Sequence, residues 1–60
     1  MKVGIEFNTD TAGFRHDDGT LDTYAVSSVL IDIAEQVRAG TTRGLILDPN
    51  GNSVGDWGAE

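Results

Sequence analysis

The chain contains no cysteine and only one histidine among its 60 residues. Disulfide bonds and thiolate metal sites are therefore excluded, and a metal site built from several histidines cannot form within one chain. A domain this short buries only about 60% of the surface that its unfolded chain exposes. Without covalent or metal cross-links, we expect residues 1–60 to form one small domain that self-associates, and we expect no cofactor and no metal.

Basic residues are also scarce, since the four Lys and Arg side chains face ten acidic ones and leave a net charge of −6. An acidic chain is poorly suited to the phosphate backbone, which argues against direct nucleic-acid binding. The charge favours solubility, or binding to a basic surface, including mimicry of DNA toward a DNA-binding protein. No apolar run reaches the ~18 residues of a membrane span, and the N-terminal segment breaks too early for a signal peptide. These features predict a cytoplasmic protein.

The first part of the chain alternates between apolar and polar residues. Val3, Ile5 and Phe7 lie at alternate positions, which is typical of a half-buried strand. Residues 12–17 alternate in the same way, and the segment between is rich in turn-forming residues. The pattern predicts a β-hairpin whose turn is centred on Thr9-Asp10.

A helix is predicted from Leu21 to Ala39. Thr20 is the expected N-cap, Asp22 lies in the first turn where the helix dipole favours an acid, and Gly40 ends the helix. Six apolar residues fall within one arc of this helix and form its expected buried face: Val26, Val29, Leu30, Ile33, Ala34 and Val37.

The last part of the chain predicts a second hairpin. A short apolar strand at residues 43–48 is followed by an Asn50-Gly51 turn and a strand that ends at Trp57, while residues 58–60 are expected to fray. The predicted fold class is α+β in the order β-β-α-β-β. It comprises a four-stranded antiparallel sheet with the helix on one face. Whether the hairpins pair within one chain or between two chains stays open.

A two-residue turn at Asn50-Gly51 produces a conflict in the second hairpin. It places Leu45 and Leu47 on one face of the sheet, and Ile46 and Trp57 on the opposite face. A sheet with one solvated face does not place such residues on both sides. Either the hairpin contains a bulge, or a second subunit covers the other face.

The outer side of the predicted helix carries a candidate interface. Tyr24, Ile31 and Arg38 recur every seven residues, away from the expected buried face. Together with Trp57 they are the predicted contact residues, in a homo-oligomer, with a dimer favoured, or with a target protein.

The sequence contains only weak matches to metal-binding or catalytic motifs. The segment from Asp48 to Asn52 resembles the start of a calcium loop, but Ser53 and Ala59 occupy the positions that require glycine and glutamate. His16 and Asp17 would point to opposite sides of a strand, so that neither supports the other as an acid–base pair. We therefore predict that the chain is not an enzyme.

The arginine side chains leave one class of small-molecule ligand to consider, which is an anion. The three arginines can contact such a ligand between subunits: Arg15, Arg38 and Arg43.

The C-terminal segment follows a predicted helix and strand and resembles the ends of very small phage and prophage accessory proteins. Its sequence is Asp48-Pro49-Asn50-Gly51-Asn52-Ser53-Val54-Gly55-Asp56-Trp57. Such proteins often bind and block host factors, including antiviral defence proteins and nucleases. The resemblance implies a non-catalytic inhibitor of a host protein and assigns no site residues. The alternatives are a sponge that sequesters a nucleotide-like ligand between subunits, and an acidic DNA mimic.

Overall fold

The computed structural model describes residues 2–60, which form one helix on one face of a three-stranded antiparallel sheet. The elements, in chain order, are β1 (Val3–Phe7), a 3-10 turn (Ala12–Phe14), α1 (Thr23–Arg38), β2 (Arg43–Leu47) and β3 (Ser53–Ala59). The strand order is β1-β3-β2, so β3 is central and both other strands are edges. The α+β class holds, but the predicted four-stranded sheet in the order β-β-α-β-β is wrong.

The first predicted hairpin does not form. The segment expected to be its second strand begins with the 3-10 turn, which turns Phe14 into the interior. The Phe14 ring is fully buried and lies 5.6 Å from the ring of Phe7, centroid to centroid. Burying an aromatic ring contributes about 1.5–3 kcal/mol, which a solvated edge strand cannot match. β1 pairs with β3 instead.

The C-terminal residues are ordered strand rather than a frayed end. β3 continues to Ala59, and the backbones of Lys2 and Glu60 exchange two hydrogen bonds of 2.7 and 3.0 Å. The pairing of β1 with β3 runs from Val3 opposite Ala59 to Phe7 opposite Gly55. Glycine-rich sequence at residues 55–58 thus serves the middle of the sheet, where the chain is flanked by strands on both sides.

Helix α1 begins two residues later than the sequence predicts. Its N-cap is Asp22, whose carboxylate accepts a 3.1 Å hydrogen bond from the Ala25 amide, while Thr20 donates its hydroxyl to Asp18. The predicted stop at Gly40 is confirmed, since Gly40 has a φ of 96°. Its amide and that of the next residue bond to carbonyls of the last turn, the hydrogen-bond pattern of a Schellman cap.

The second hairpin is present, with a different turn. The Gly51 amide donates to the Asp48 carbonyl at 2.9 Å, so the tight turn is centred on Pro49-Asn50, and Gly51 takes the left-handed conformation (φ 85°). Proline is favoured at the first central position of such a turn because its ring already fixes φ near the required value. The Asn50-Gly51 turn was therefore the wrong centre.

A bulge in β3 brings Val54 into the core but leaves large apolar residues on both faces of the second hairpin. Ile46 pairs with Gly55, but Leu47 pairs with Ser53, so that Val54 is an extra residue. The bulge allows Val54 to pack against the core. Ile46 and Trp57 share the helix side of the sheet with it, whereas Leu45 and Leu47 face away and are 69% and 51% exposed.

The core is small and lies between α1, β2 and β3. Ile33, Ile46 and Trp57 are 2–4% exposed and form its centre. Three partly buried side chains pack around them: Phe7, Val29 and Val54. Only part of the predicted helix arc is buried, because Leu30 and Val37 are 44% and 47% exposed.

Candidate binding groove

His16 and Asp17, the weak acid–base candidates of the sequence analysis, lie in the loop that precedes α1. The His16 amide donates to the Thr20 carbonyl, and the Asp18 carboxylate accepts from both the amide and the hydroxyl of Thr20. The Thr20 hydroxyl lowers the pKa of Asp18, since these bonds favour the charged carboxylate. Within residues 2–60, no group of three or more His, Cys, Asp or Glu side chains is placed to hold a metal ion. The same residues include no helix long and apolar enough to cross a membrane.

The helix is displaced toward one edge of the sheet. Gln36 is half-buried above Gly44 of β2, where its Oε1 lies 3.1 Å from the position that a Cβ of Gly44 would occupy. The indole nitrogen of Trp57 lies at the same distance from that position. A side chain at Gly44 would crowd both groups, so glycine allows α1 to pack closely over β2 and β3.

The other flank of α1 faces β1. At 100° per residue, Leu30 and Val37 lie about 100° around the helix from Gln36. Because Gln36 stands over β2, and β1 is the strand on the opposite edge, these two side chains face the β1 side. Both are nearly half exposed, at 44% and 47%.

The floor below this flank is also apolar. Ile5 pairs directly with Trp57, and residues paired across an antiparallel sheet point to the same face. Ile5 and Val3 therefore stand on the helix side of the sheet, yet they are 43% and 57% exposed. We call the surface formed by Val3, Ile5, Leu30 and Val37 the β1 groove.

The predicted helix contacts form a separate surface. Tyr24 and Ile31 are 82% and 61% exposed, and with Arg38 they form a stripe on the side of α1 that points away from the sheet. Trp57 does not join them. It is 3% exposed and packs on Ile33 inside the monomer, which removes it as a contact residue for a partner.

The predicted anion contacts do not converge within one chain. Arg15 is held by its own loop, donating to the carbonyls of Thr9 and Gly19 and lying 3.5 Å from the Asp10 carboxylate. Arg15 precedes α1 and Arg38 ends it, and a helix of 16 residues is about 24 Å long. One small anion cannot bridge that span.

Arg43 lies on the sheet face opposite the helix. There it lines a shallow depression of about 650 Å³ together with Lys2, Gly4, Gly58 and Glu60. The glycines leave the backbone bare, and the depression carries charges of both signs. Lys2 is a neighbour of Arg43 that the sequence pattern did not identify, because its strand was assigned to the wrong partner.

Asp48 is the one charged side chain among the described residues that is buried, at 5% exposure. Its carboxylate accepts hydrogen bonds from the amides of Asn50 and Asn52 at 2.9 Å and from the Asn52 side chain at 3.2 Å. The adjacent Thr11 hydroxyl and these donors hold the pKa of Asp48 below its ordinary value, although burial opposes them. This network supports the hairpin interpretation of Asp48–Asn52 over a calcium loop.

The groove was missed because its residues were assigned to the core. Leu30 and Val37 belong to the apolar arc of the helix, and Val3 and Ile5 to the apolar face of the first strand. The available signal was the width of that arc. One helix of this length packs on the sheet along a narrower stripe, so the surplus apolar side chains had to lie at its margin.

Comparisons with protein-family models, with curated proteins and with solved structures found no match to this chain.

Proposed function

We propose that this chain is a non-catalytic binding protein whose β1 groove takes an amphipathic helix of a target protein. The resemblance to small phage proteins makes the target a host protein, such as an antiviral defence component, which the chain blocks by occupying that helix. The observation that carries the proposal is the exposure of Val3, Ile5, Leu30 and Val37, which are 43–57% exposed although strand pairing and helical periodicity place them on neighbouring parts of the same side of the molecule. Apolar surface concentrated in this way is typical of interaction sites.

The dimensions of the groove favour a helix as its occupant. Neighbouring strands lie about 4.8 Å apart and packed helices 8–10 Å apart. Because α1 lies over β2 and β3, a second helix set beside it lies over β1. Leu30 and Val37 are seven residues apart, which is the spacing of contact residues where one helix packs along the apolar face of another.

The charge of the chain favours a basic rim on that target helix. The net charge is −6, and Arg15–Asp10 is the one ion pair among residues 2–60. The acidic side chains that carry neither an ion pair nor a hydrogen bond can attract Lys and Arg from a partner. Charges at the rim of an interface mainly raise the association rate and select the partner, while the apolar groove supplies the affinity.

The groove can be tested with a model peptide of about 14 residues that forms an amphipathic helix, with Leu on one face and Lys on the other. We expect it to bind, and Leu30→Asp to weaken binding at least tenfold, because the new carboxylate would be desolvated in the groove. Ile31→Asp is the matched control, with the same substitution one residue along the same helix. We expect it to bind the peptide as the unmodified chain does.

The readout is isothermal titration, with circular dichroism to show that both variants keep their helix. A scrambled peptide of equal composition controls for charge alone. Equal binding of the scrambled peptide, or equal losses in the two variants, would contradict the groove as the site.

The inhibitory role requires a separate assay in cells. We expect expression of the chain to restore phage plating on bacteria that carry the defence system it blocks, and Leu30→Asp to abolish that effect while Ile31→Asp retains it. If Ile31→Asp combined with Tyr24→Ala abolished protection and Leu30→Asp did not, the outer stripe of α1 would be the inhibitory surface.

A further inference from the structure

The outer edge of β1 offers a row of unpaired backbone groups. Lys2 and Glu60 exchange both of their backbone hydrogen bonds, and in an antiparallel pair such bonding residues alternate with residues that point outward. Gly4 and Glu6 therefore bond to β3, whereas Val3, Ile5 and Phe7 direct their N–H and C=O groups away from the sheet. No loop or terminus in residues 2–60 forms backbone hydrogen bonds with these three residues.

This edge lacks the features that protect isolated edge strands. β1 is regular over five residues and contains no proline, no bulge and no lysine; its single charge is Glu6. Natural sheets usually block an exposed edge with one of these features, or cover it. A regular apolar edge is suited to pairing with another strand.

We propose that β1 pairs antiparallel with β1 of a second copy, about a two-fold axis that passes beside Ile5. In this register Ile5 lies opposite Ile5 of the second copy, and Val3 lies opposite Phe7. Each of the three outward residues contributes one donor and one acceptor, so the two strands can form about six hydrogen bonds with none left over. The pairing is self-complementary, as an isologous dimer requires.

The side chains agree with this register. Val3, Ile5 and Phe7 share the helix side of the sheet, so the dimer brings together six apolar side chains on one face. Glu6 lies on the opposite face and meets Gly4 of the second copy, which keeps the two glutamates from lying directly opposite each other. Apolar cross-strand pairs each stabilise a sheet by about 0.2–1 kcal/mol relative to alanine pairs.

The two flanks of α1 explain why β1 and not β2 is the dimer edge. Pairing through β2 would bring the β2-side flanks of the two helices together, and that flank carries Gln36 and Asp32, which are hydrogen-bonded to each other at 3.0 Å. The carboxylates of two copies would then approach each other in a desolvated contact. The β1-side flank presents Leu30 and Val37 instead.

The dimer also completes the groove, and this step rests on the proposed function. From strand spacing alone, the two helices stand about 19 Å apart on one face of a six-stranded sheet. One further helix at 8–10 Å from each fits between them. The floor would consist of Val3 and Ile5 from both copies, and the walls of Leu30 and Val37 from both.

Strand pairing of this length buries little surface, so the dimer without a target helix belongs to the weak class of interfaces, with a dissociation constant on the order of 10–100 μM. We expect the mass measured by light scattering to double between about 1 μM and about 1 mM protein. A target helix that contacts both copies would strengthen the dimer by linkage.

The test uses single cysteines, since the chain contains none of its own. Ile5→Cys places two sulfurs on strands whose opposed Cα atoms are about 5.5 Å apart, within the range that a disulfide bridges. We expect it to form a covalent dimer within minutes of mild oxidation. Leu45→Cys, at the equivalent outward position of β2, is expected to stay monomeric although Leu45 is more exposed, at 69% against 43%.

A second pair of variants covers the case in which the cysteine disturbs folding. Ile5→Pro and Leu45→Pro each remove one outward N–H and no ladder hydrogen bond, and we expect only the first to keep the mass at one chain up to about 1 mM. Faster crosslinking at Leu45, or equal masses for the two proline variants, would overturn the proposal. No peptide is present in either experiment, so these results are independent of whether the groove binds a helix.

Discussion

The two flanks of α1 differ in what covers them. On the β2 side, Ile33 packs on Ile46 and Trp57 and all three are almost fully buried. On the β1 side, Leu30 and Val37 of the helix and Val3 and Ile5 of the strand are 43–57% exposed. The cause is local: Ile33 of α1 packs on Trp57, and the absence of a side chain at Gly44 allows the helix to approach β2. A helix centred on the sheet would bury both flanks, and this one buries one.

The overall dimensions agree with a sheet that is only partly covered. The radius of gyration is 12.0 Å, whereas a compact domain of this length has about 10 Å. The described residues include nine large hydrophobic side chains that are at least 39% exposed, against five hydrophobic residues in the core. We expect a domain with this distribution to be stabilised further when a partner covers these side chains.

The largest expected effect is on the covered flank. Trp57→Ala removes the largest side chain of the core and leaves a cavity under Ile33, which costs about 3–5 kcal/mol of the free energy of unfolding. We expect the variant to be largely unfolded at 25 °C, as measured by circular dichroism and urea titration. A loss below about 1 kcal/mol would show that the covered flank does not hold the fold together.

The next effect breaks the attachment of β1 to the rest of the sheet. A Cβ at Gly55 would overlap the Glu6 carbonyl and crowd the Phe7 backbone, and neither can move aside without opening the β1–β3 pairing. We expect Gly55→Ala to cost about 3 kcal/mol, the upper part of the usual range for overpacking. Gly4→Ala is the matched control, because nothing lies within 4 Å of its Cβ position. Equal urea midpoints for the two variants would contradict the bulge geometry.

A pH-dependent effect is expected at the turn that closes the covered half. The folded pKa of Asp48 lies below its ordinary value of 3.8, so its contribution to stability is present above about pH 4 and is lost as pH falls through the folded pKa. Asp48→Asn keeps an acceptor oxygen but loses the charge. We expect the variant to be less stable at about pH 7 and to approach the unmodified chain near about pH 2. Parallel pH profiles of the urea midpoint would contradict this account.

The smallest effect is expected on the open flank. Leu30 is nearly half exposed, so that Leu30→Ala removes little buried surface and costs about 1 kcal/mol or less. Ile33→Ala, three residues away on the buried stripe, is expected to cost about 2–5 kcal/mol. If the two variants lost the same stability in urea titrations, the flanks would be equally covered and there would be no groove.

The sequence predicted those elements whose signals are local. The helix stop at Gly40 and the hairpin around Pro49-Asn50-Gly51 follow from backbone preferences of single residues, and both are present. The first hairpin failed because alternation at residues 12–17 is equally compatible with a turn that buries Phe14. The choice between them depends on Phe7 and on β3, which lie elsewhere in the chain.

The candidate site was predictable only in part. The stripe of Tyr24, Ile31 and Arg38 is exposed, as helical periodicity requires, but Trp57 is core, because the face that it shares with Ile46 is the face that α1 covers. The sequence pattern did not specify which face of the second hairpin the helix covers, and no local signal marked the bulge that brings Val54 to that face. The β1 groove depends on where the helix rests on the sheet, which periodicity does not specify.

The most direct test compares amide hydrogen exchange at the two sheet edges, at a protein concentration of about 1 mM. We expect the outward amides of Val3, Ile5 and Phe7 to be protected by pairing with a second copy, while those of Arg43, Leu45 and Leu47 exchange at solvent-exposed rates. On dilution to about 1 μM, the protection of β1 should disappear. Equal exchange at the two edges, or protection of β2 alone, would contradict the assignment of the β1 side as the surface on which this protein binds its partners.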